Sequence, residues 1–300
     1  MPVLPRRAIR PAATITGTTC RVCHSPDTAP WREKRDFPIW RCRACTNAFV
    51  PEAAVPPELE ALYTPAYFAG GNDTGYPGYL DDAPILERNF ARRLRWIERL
   101  RPPSRLLDVG TAYGICLKVA RARGWEAVGI ELVAECARAA ERLAAAPVLA
   151  GDFLALDVPG TFDVVTMFDV LEHFRDPGAC VARAFELLAP GGLLVIETGD
   201  VASFWARLLG RTWYFLGPPQ HLSYFTAAGL LDLLARRGFA IPRRPGHLGR
   251  LVSLANVAFK LSHHAPGAAL QATARLARRV LPGAVYLNFG DVLMAVGRRP

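Results

Sequence analysis

Short apolar runs alternate with amphipathic segments through the middle of the chain. The runs predict five strands, near residues 105–110, 127–131, 148–151, 162–168 and 193–198. Apolar positions at helical spacing predict three helices between them, at residues 114–124, 134–145 and 177–188. This alternation indicates an α/β protein with a mostly parallel sheet and helices on both faces. The carboxyl ends of the strands, and any ligand, then lie along one edge of the sheet.

The flanking segments extend this unit in both directions. An amphipathic helix is predicted over residues 85–100, and another over residues 226–237 is followed by a short strand at 238–241. A less regular, partly apolar helical insert runs from about 249 to 281, and residues 291–297 are expected to form a last strand.

The chain divides by composition into four parts. Residues 1–19 are expected to be a flexible arm, residues 20–50 a metal-binding module, residues 51–84 a linker with an aromatic stretch, and residues 85–300 the α/β domain. The aromatic stretch either forms a lid over a ligand or anchors a loop, and both interpretations remain open. Its aromatic residues are Tyr63, Tyr67, Phe68, Tyr76 and Tyr79.

Composition narrows the class of protein. With 51% hydrophobic and 21% charged residues, the 300-residue chain can bury a sizeable core and is not disordered by composition. The net charge is +9, but 33 of the 36 basic residues are arginines scattered over the whole chain, so charge alone is a weak argument for nucleic-acid binding. No signal peptide and no uncharged apolar run of about 18 residues is present, which predicts a soluble, cytoplasmic protein without a membrane span.

Four of the seven cysteines form two C-x-x-C pairs. Cys20 and Cys23 make the first pair, and Cys42 and Cys45 make the second after 18 intervening residues. Each pair forms a tight knuckle that presents two thiolates, and two knuckles complete a tetrahedron, so the spacing predicts a zinc ribbon. Four cysteine ligands leave no open position for a substrate, and the zinc is therefore expected to be structural.

The clearest ligand signal is the segment from Asp108 to Gly114. A buried strand stops at Gly110, a tight turn follows, and a helix begins after Gly114, which lets the backbone approach a ligand closely. The next predicted strand ends in Glu131, where nucleotide-binding folds place the carboxylate that binds ribose hydroxyls. The turn reads G-x-x-x-G and lacks the G-x-G-x-x-G of dinucleotide-binding proteins.

The pattern Asp-Val-Gly-x-x-x-Gly resembles motif I of the class I S-adenosylmethionine-dependent methyltransferases. That family usually has Asp-Val-Gly-Cys-Gly-x-Gly, and here Thr111 and Ala112 replace the Cys-Gly pair while Tyr113 is bulky. The resemblance implies a Rossmann-like, seven-stranded, mostly parallel sheet with an antiparallel last strand, and S-adenosylmethionine as cofactor. It also implies that an acid after the third strand meets the adenine amino group and that its neighbour stacks on the ring. The cofactor-binding residues that the resemblance implies are Asp108, Gly110, Thr111, Gly114, Glu131, Asp152, Phe153 and Asp169.

The end of the fourth predicted strand distinguishes between reaction types. The segment from Asp169 to His173 lacks the Asn/Asp-Pro-Pro motif typical of nucleobase N-methylases and resembles the E-x-L-E-H motif of ubiquinone-biosynthesis O-methyltransferases. In some of those enzymes the two acids and the histidine are placed to bind a divalent metal. In sugar C-methyltransferases, which also carry an N-terminal zinc module, a histidine after a glutamate is implicated as the base. One interpretation is that His173 takes a proton from the acceptor, with Glu172 orienting it. The other is that Glu172 is an acid at a helix start and His173 lines the cofactor pocket without a chemical role, and both remain open.

An aromatic, proline-rich loop over residues 213–226 follows the fifth predicted strand. Such a loop beyond the sheet edge is where an acceptor pocket is expected, and Thr226 has the position of a helix cap. His221 is a second candidate for a base or a substrate-positioning group. The other interpretation, which the sequence favours slightly, is a structural histidine that bonds a loop carbonyl.

These features favour a methyltransferase that acts on oxygen or carbon of a small molecule such as a sugar, a polysaccharide precursor or a secondary metabolite. An RNA methyltransferase that uses the ribbon to bind RNA is the main alternative, and the missing Asn/Asp-Pro-Pro motif argues against it. A protein that binds the cofactor without turnover is the third alternative. The oligomeric state does not follow from the sequence.

Overall fold

The computed structural model describes residues 15–64, 79–254 and 283–300. Some of the predicted features lie outside these residues. They are most of the 1–19 arm, the aromatic residues Tyr67, Phe68 and Tyr76, and nearly all of the insert at 249–281.

A seven-stranded sheet forms the centre of the molecule. Its strands, in spatial order from one edge, are β10 (Gly246–His247), β13 (Val292–Arg298), β8 (Leu188–Gly199), β7 (Phe162–Phe168), β4 (Arg105–Val109), β5 (Glu126–Glu131) and β6 (Val148–Ala150). The five strands from β8 to β6 are parallel, whereas β13 runs antiparallel to both β8 and β10. The prediction of a Rossmann-like, mostly parallel sheet with an antiparallel last strand is confirmed.

Six α-helices connect and flank these strands within the described residues. They are α1 (Ala83–Glu98), α2 (Ile115–Ala122), α3 (Ala134–Ala144), α4 (Pro177–Leu187), α5 (Phe204–Leu209) and α6 (Ala227–Arg236). Several begin at the residue types that favour a helix start, because a side-chain oxygen accepts a hydrogen bond from a free backbone N–H of the first turn. Asp176 accepts from the backbone N–H of Ala179, and the predicted cap Thr226 accepts from that of Gly229.

Alternate residues of the central strands point to opposite faces of the sheet, and each face carries its own apolar core. Leu107, Val165 and Leu194 pack on the face covered by α4 and α6. Leu106, Val164 and Val195 pack on the other face with Leu94, Ile97 and Leu117 from α1 and α2. Both faces are buried, which explains why these strands are nearly continuous apolar runs.

The strand predicted at residues 238–241 is reduced to a single bridge between Ala240 and Arg298. These two residues exchange both backbone hydrogen bonds, at 2.9 and 2.8 Å. The next pairing position on this segment is Pro242, which has no N–H to donate, so the ladder stops there. Pairing with β13 resumes only at Gly246, where the edge strand β10 begins.

A second, smaller sheet contains the cysteine-rich segment. Its strands are β1 (Thr28–Lys34), β2 (Phe37–Cys42), β3 (Ala48–Phe49) and β9 (Ser223–Tyr224), and all neighbours are antiparallel. The fourth strand therefore comes from the larger domain. Aromatic and aliphatic residues of both parts share one core, including Ile39, Val50, Trp213 and Leu216. A short two-stranded sheet, β11 (Arg250–Ser253) with β12 (Ala284–Leu287), completes the described structure.

Candidate active site

The loop between β4 and α2 has the backbone conformation that its glycines predict. Gly110 and Gly114 have φ of +73° and +80°, in the left-handed region that glycine occupies at little cost. The N–H groups of Gly110 and Thr111 both donate to the carbonyl of Ile130, at 2.8 and 3.0 Å. These bonds hold the loop against the carboxyl end of β5.

Ala112 also lies in the left-handed region, with φ of +51°. This is the position where the resembled family usually has glycine, and a non-glycine residue there costs about 1–2 kcal/mol. The backbone N–H of Ala112 donates to a carboxylate oxygen of Glu131 at 2.8 Å, and the N–H of Val133 donates to the other oxygen at 3.0 Å. Glu131 is buried, which raises its pKa, and these N–H groups offset part of that shift. The bond to Glu131 helps to hold Ala112 in its strained conformation.

Asp108 points into the sheet at the base of the loop. Its two carboxylate oxygens accept hydrogen bonds from the hydroxyls of Thr111 and Thr166, at 2.9 and 2.6 Å. Burial raises the pKa of Asp108 to about 6. The threonine that replaces the usual cysteine of the motif therefore has a defined partner, Asp108, at the end of β4.

Asp152 and Phe153 follow β6, next to Glu131. The N–H of Gly151 donates to the Glu131 carbonyl at 2.9 Å, and Asp152 itself is exposed, with one oxygen accepting from the N–H of Leu154. Phe153 is only 2% exposed and packs edge-on against Phe174, with ring centroids 6.2 Å apart. Asp152 thus lies at the same edge of the sheet as Glu131, while the Phe153 ring belongs to the core.

A tight turn follows the end of β7. Asp169 has φ of +55°, and residues 171–173 form one turn of 3₁₀ helix. Glu172 is 1% exposed; one carboxylate oxygen accepts from the Thr198 hydroxyl at 3.0 Å, and the other has no hydrogen-bond partner within the described part of the chain. Burial and the nearby Asp169 carboxylate raise the pKa of Glu172 well above its usual value.

His173 and His221 face each other in this site. Their rings meet edge to face with centroids 4.7 Å apart. His173 Nδ1 lies 2.8 Å from the hydroxyl of Tyr63 and 3.1 Å from the carbonyl oxygen of Gln220. His221 Nδ1 donates to the carbonyl oxygen of Phe215 at 2.6 Å, which directs its Nε2 away from that carbonyl.

Both imidazoles are neutral near pH 7. Burial lowers the pKa of His173 well below 6.5, with the neighbouring His221 adding to the shift, and burial lowers the pKa of His221 to about 4. A neutral imidazole can accept a proton or bind a metal ion, so both capacities are available at physiological pH.

Glu172, His173 and His221 form a compact cluster. One possible ligand atom from each of the three lies within 4.8 Å of the others. One carboxylate oxygen and two imidazole nitrogens are a donor set that suits a divalent transition metal. Asp169, the other acid of the motif, is not part of this cluster, and one of its oxygens lies 3.4 Å from Arg250.

Some residues of the site were not identified from the sequence. Arg93 of α1 makes a two-point ion pair with the fully buried Glu197, and Arg250 of β11 lies within 3.5 Å of the same carboxylate. Asp200 accepts from His247 Nε2 at 3.0 Å. None of these residues belongs to a local motif, and a charged residue in a predicted buried strand is the one signal that could have singled out Glu197.

The four cysteines of the N-terminal module lie together. The sulfur atoms of Cys20 and Cys45 are 3.6 Å apart, as are those of Cys23 and Cys42, and all four lie within 4.8 Å of one another. A tetrahedral zinc with Zn–S bonds of about 2.3 Å needs sulfur atoms about 3.8 Å apart. The donor set and its spacing therefore fit zinc.

The comparison with protein families agrees with this geometry. A family described as a methyltransferase domain matches residues 82–242, more than half of the chain. The chain therefore belongs to the methyltransferase domain family, and its fold is that of the class I S-adenosylmethionine-dependent methyltransferases.

Curated proteins similar to this chain include ubiquinone biosynthesis O-methyltransferases. That of Psychrobacter arcticus is 38% identical over 155 residues, covering 45% of this chain and 58% of the relative. That of Leptothrix cholodnii is 31% identical over 172 residues, covering 49% and 73%. The first three such relatives are matched over 58%, 40% and 46% of their length, so the chain spans about half of them.

Solved structures with the same fold include a SAM-dependent methyltransferase from Archaeoglobus fulgidus. It is 16% identical, with a TM-score of 0.50, and the match covers 73% of this chain and 98% of that one. The YcgJ protein of Bacillus subtilis gives the same TM-score at 14% identity, covering 71% and 98%. At this level of identity the likeness concerns the fold alone. Within the described residues, no helix combines the length and the apolar character needed to cross a membrane.

Proposed function

We propose that this protein transfers a methyl group from S-adenosylmethionine to an oxygen or carbon atom of a small molecule, with His173 as the base. One observation carries the proposal. A half-buried pair of imidazoles lies beside the carboxyl end of β7: His173 belongs to the turn that packs directly against the loop between β4 and α2, and His221 contacts it from the loop of residues 213–226. A Cβ atom on Gly110 would lie 2.6 Å from a methyl carbon of Val170, so the loop and the turn are in contact.

The cofactor would be held along the edge formed by β4, β5 and β6. By resemblance, the loop from Gly110 to Gly114 would hold the methionine and ribose, Glu131 the ribose hydroxyls, and Asp152 the adenine. The exposed position of Asp152 beside Glu131 is compatible with this arrangement, whereas the burial of Phe153 against Phe174 means that its ring must contribute from within the core. When bound, S-adenosylmethionine supplies an electrophilic methyl group.

His173 would remove the proton that the acceptor loses as it attacks. In this proposal the imidazole proton is on Nδ1, which lies 3.1 Å from the backbone carbonyl oxygen of Gln220, and Nε2 would be the acceptor. The Tyr63 hydroxyl, 2.8 Å from the same nitrogen, adds a polar contact from the segment before α1. Burial keeps both histidines neutral, so the base is ready at physiological pH.

A divalent metal at Glu172, His173 and His221 is a second candidate arrangement, and a specific observation favours it. One oxygen of the buried Glu172 carboxyl has no partner within the described part of the chain, and leaving such an atom unpaired is costly. A bound ion would satisfy this oxygen and would supply Lewis acidity for an acceptor hydroxyl. This ligand set includes His221 and omits Asp169, unlike the two acids and one histidine that the motif suggests.

The acceptor class rests on the same turn and on the relatives. The relatives are named as O-methyltransferases of ubiquinone biosynthesis, which favours a hydroxyl acceptor for this chain as well. The absence of an Asn/Asp-Pro-Pro motif after β7 disfavours an RNA base as acceptor. Zinc in the four-cysteine site is proposed to be structural, and the cytoplasmic location stays a prediction.

Titration calorimetry with S-adenosylmethionine, followed by an assay with labelled methyl donor and a panel of phenols, sugars and total RNA, tests the proposal. We expect binding of the donor, transfer to a small molecule, and loss of transfer but not of donor binding in His173→Ala. Donor binding without transfer to any acceptor would leave the non-catalytic alternative, and transfer to RNA would overturn the acceptor class.

Metal analysis separates the two arrangements at the histidines. If an ion is bound there, the chain holds two metals and Glu172→Gln retains one. If His173 acts alone as base, wild type and Glu172→Gln both hold one zinc, and transfer survives chelation that leaves the four-cysteine zinc in place.

A further inference from the structure

We infer that the zinc module is a positioning element of the active site, in which Arg21 and Asn47 tie its two knuckles to the two segments that carry His173 and His221. The inference rests on the proposed function only for the roles of the two histidines. The contacts that carry it are independent of the reaction.

The first knuckle holds the segment of His173. Arg21 lies between Cys20 and Cys23, and its side chain is only 5% exposed. Its guanidinium donates to the carbonyl oxygen of Arg175 at 2.7 Å and to that of Val50 at 2.9 Å. Arg175 lies two residues after His173, so the first knuckle is bonded to the backbone just after the turn that carries His173.

The second knuckle holds the segment after His221. Asn47 follows Cys45 by two residues and is fully buried, and its side-chain oxygen accepts from the backbone N–H of Thr226 at 2.9 Å. The first turn of α6 is pressed against the same knuckle, because a Cβ on Gly229 would lie 2.1 Å from that oxygen and 2.4 Å from the Cys45 carbonyl oxygen.

Backbone hydrogen bonds join these two segments to each other. The N–H of Val50 donates to the carbonyl of Leu222 at 2.9 Å, and the N–H of Leu222 donates to the carbonyl of Glu172 at 2.8 Å. Leu222 is adjacent to His221, and Glu172 is adjacent to His173. A continuous set of bonds therefore runs from the module through both histidine segments.

An ion bound by all four thiolates fixes the distance between the two knuckles. Each knuckle holds one histidine segment, so the ion also sets the relation between the two imidazoles, whose centroids are 4.7 Å apart. In the described part of the chain, the parallel strands β4 and β5 make no comparable hydrogen bond to the module. Loss of the ion should therefore loosen the histidine segments before it affects the centre of the sheet.

Amide hydrogen exchange of the full chain, measured by mass spectrometry, tests this inference without an acceptor. After the zinc is removed with a mercurial reagent and a chelator, we expect exchange in residues 170–175 and 217–226 to rise by about tenfold or more. Strands 105–109 and 126–131 should change by less than about twofold.

Two variants test the named contacts with the zinc in place. Asn47→Ala and Arg21→Gln should each retain one zinc in the four-cysteine site and raise exchange in residues 217–226 and 170–175, respectively. Arg43→Ala is the matched control, since Arg43 lies in the second knuckle, its side chain is 69% exposed, and among the described residues its side chain bonds only to Asp27. The ring ¹⁵N shifts of His173 and His221 should change in the two variants and not in the control.

Two outcomes would overturn the inference. One is unchanged exchange and unchanged histidine shifts on zinc removal and in both variants. The other is simultaneous loss of protection in all peptides, the sheet strands included, which would make the zinc a support for the whole fold. Altered exchange in a protein that methylates nothing would refute the proposed function and leave the contacts of the module standing.

Discussion

At the scale of single residues, Gly114 lies where the loop between β4 and α2 packs against α3. Its φ is +80°, and a Cβ there would lie 2.8 Å from both the Cα and the carbonyl oxygen of Ala140 in α3. Because these are backbone atoms, they cannot move aside cheaply, and we expect Gly114→Ala to lower the free energy of unfolding by about 2–4 kcal/mol. Urea denaturation measures the change. Gly246→Ala is the control, since no atom of the described residues lies within 4 Å of its Cβ position; equal losses in the two variants would contradict the packing argument.

Asp108 should give the fold a specific dependence on pH. Burial raises its pKa from the usual 3.8 to about 6, so the folded chain binds this proton more tightly than the unfolded chain does. Its contribution to the free energy of unfolding is then largest below about pH 4 and is lost as the pH rises to about 6, a change of about 3 kcal/mol. In Asp108→Asn this contribution is absent.

The difference in unfolding free energy between wild type and Asp108→Asn, followed by urea denaturation from pH 4 to 7, isolates this carboxyl. All other titrating groups, the four cysteines of the N-terminal module included, are common to both proteins and cancel. Parallel pH profiles for the two proteins would show that Asp108 keeps its ordinary pKa.

The conformation of the loop between β4 and α2 could be predicted from its sequence, but the contacts of its side chains could not. The glycine pattern predicted a loop of this shape, because positive φ at Gly110 and Gly114 is a local requirement. The departures at Thr111 and Ala112 could be noticed but not interpreted, since their partners Asp108, Thr166 and Glu131 are brought near only by the pairing of strands.

At the scale of elements, the ion pair between Arg93 and Glu197 connects α1 to the sheet. Burial alone would raise the pKa of Glu197, but Arg93 and Arg250 outweigh it and lower that pKa. We expect Arg93→Ala to destabilise the fold by about 3–5 kcal/mol, because it leaves a buried carboxylate without its main partner. Arg236→Ala is the control; its guanidinium bonds Asp232 one turn away on an exposed face, and no measurable loss is expected there.

Thermal or urea denaturation of both variants measures this difference. Similar small losses in both would mean that Glu197 takes up a proton or is satisfied by Arg250 when Arg93 is removed. The double variant Arg93→Met with Glu197→Leu should recover most of the stability, since replacing a whole buried pair by apolar residues is often neutral.

Most helices and strands could be predicted from the local pattern of apolar residues. The strands that were predicted wrongly or missed have physical reasons. Both faces of β4, β7 and β8 are buried, so these strands are conspicuous apolar runs. The edge strand was misplaced because Pro242 interrupts a ladder that the apolar pattern at 238–241 seemed to begin. The fourth strand of the ribbon sheet, Ser223–Tyr224, is only two residues long and lies far away in sequence, so periodicity gave no sign of it.

At the scale of the whole molecule, the site is an assembly of distant segments. His173 and His221 meet across 47 intervening chain positions through a bond network that also includes Tyr63 and the ribbon. The sequence motifs identified each histidine as a candidate, but they did not predict that the two loops carrying them lie side by side. For the same reason Arg250, in a segment assigned to the insert, escaped notice beside Asp169 and Glu197.

The preference of the folded chain for one nucleoside ligand over another can be measured through its thermal stability. A ligand that binds the folded state alone stabilises it by about 2.7 kcal/mol at a concentration of 100 times its Kd. S-adenosylhomocysteine, the demethylated product, should therefore raise the melting temperature by about 5–10 °C. Glu131→Gln should shrink this shift, because the amide that replaces one carboxylate oxygen cannot accept both from the protein N–H groups and from ribose hydroxyls.

NAD is the matched control, since the loop lacks the second glycine of a pyrophosphate site. Differential scanning calorimetry with each compound measures the two shifts in melting temperature. Stabilisation by NAD and not by S-adenosylhomocysteine would mean that the edge of β4, β5 and β6 binds a dinucleotide. The proposed methyl transfer would then have no methyl donor.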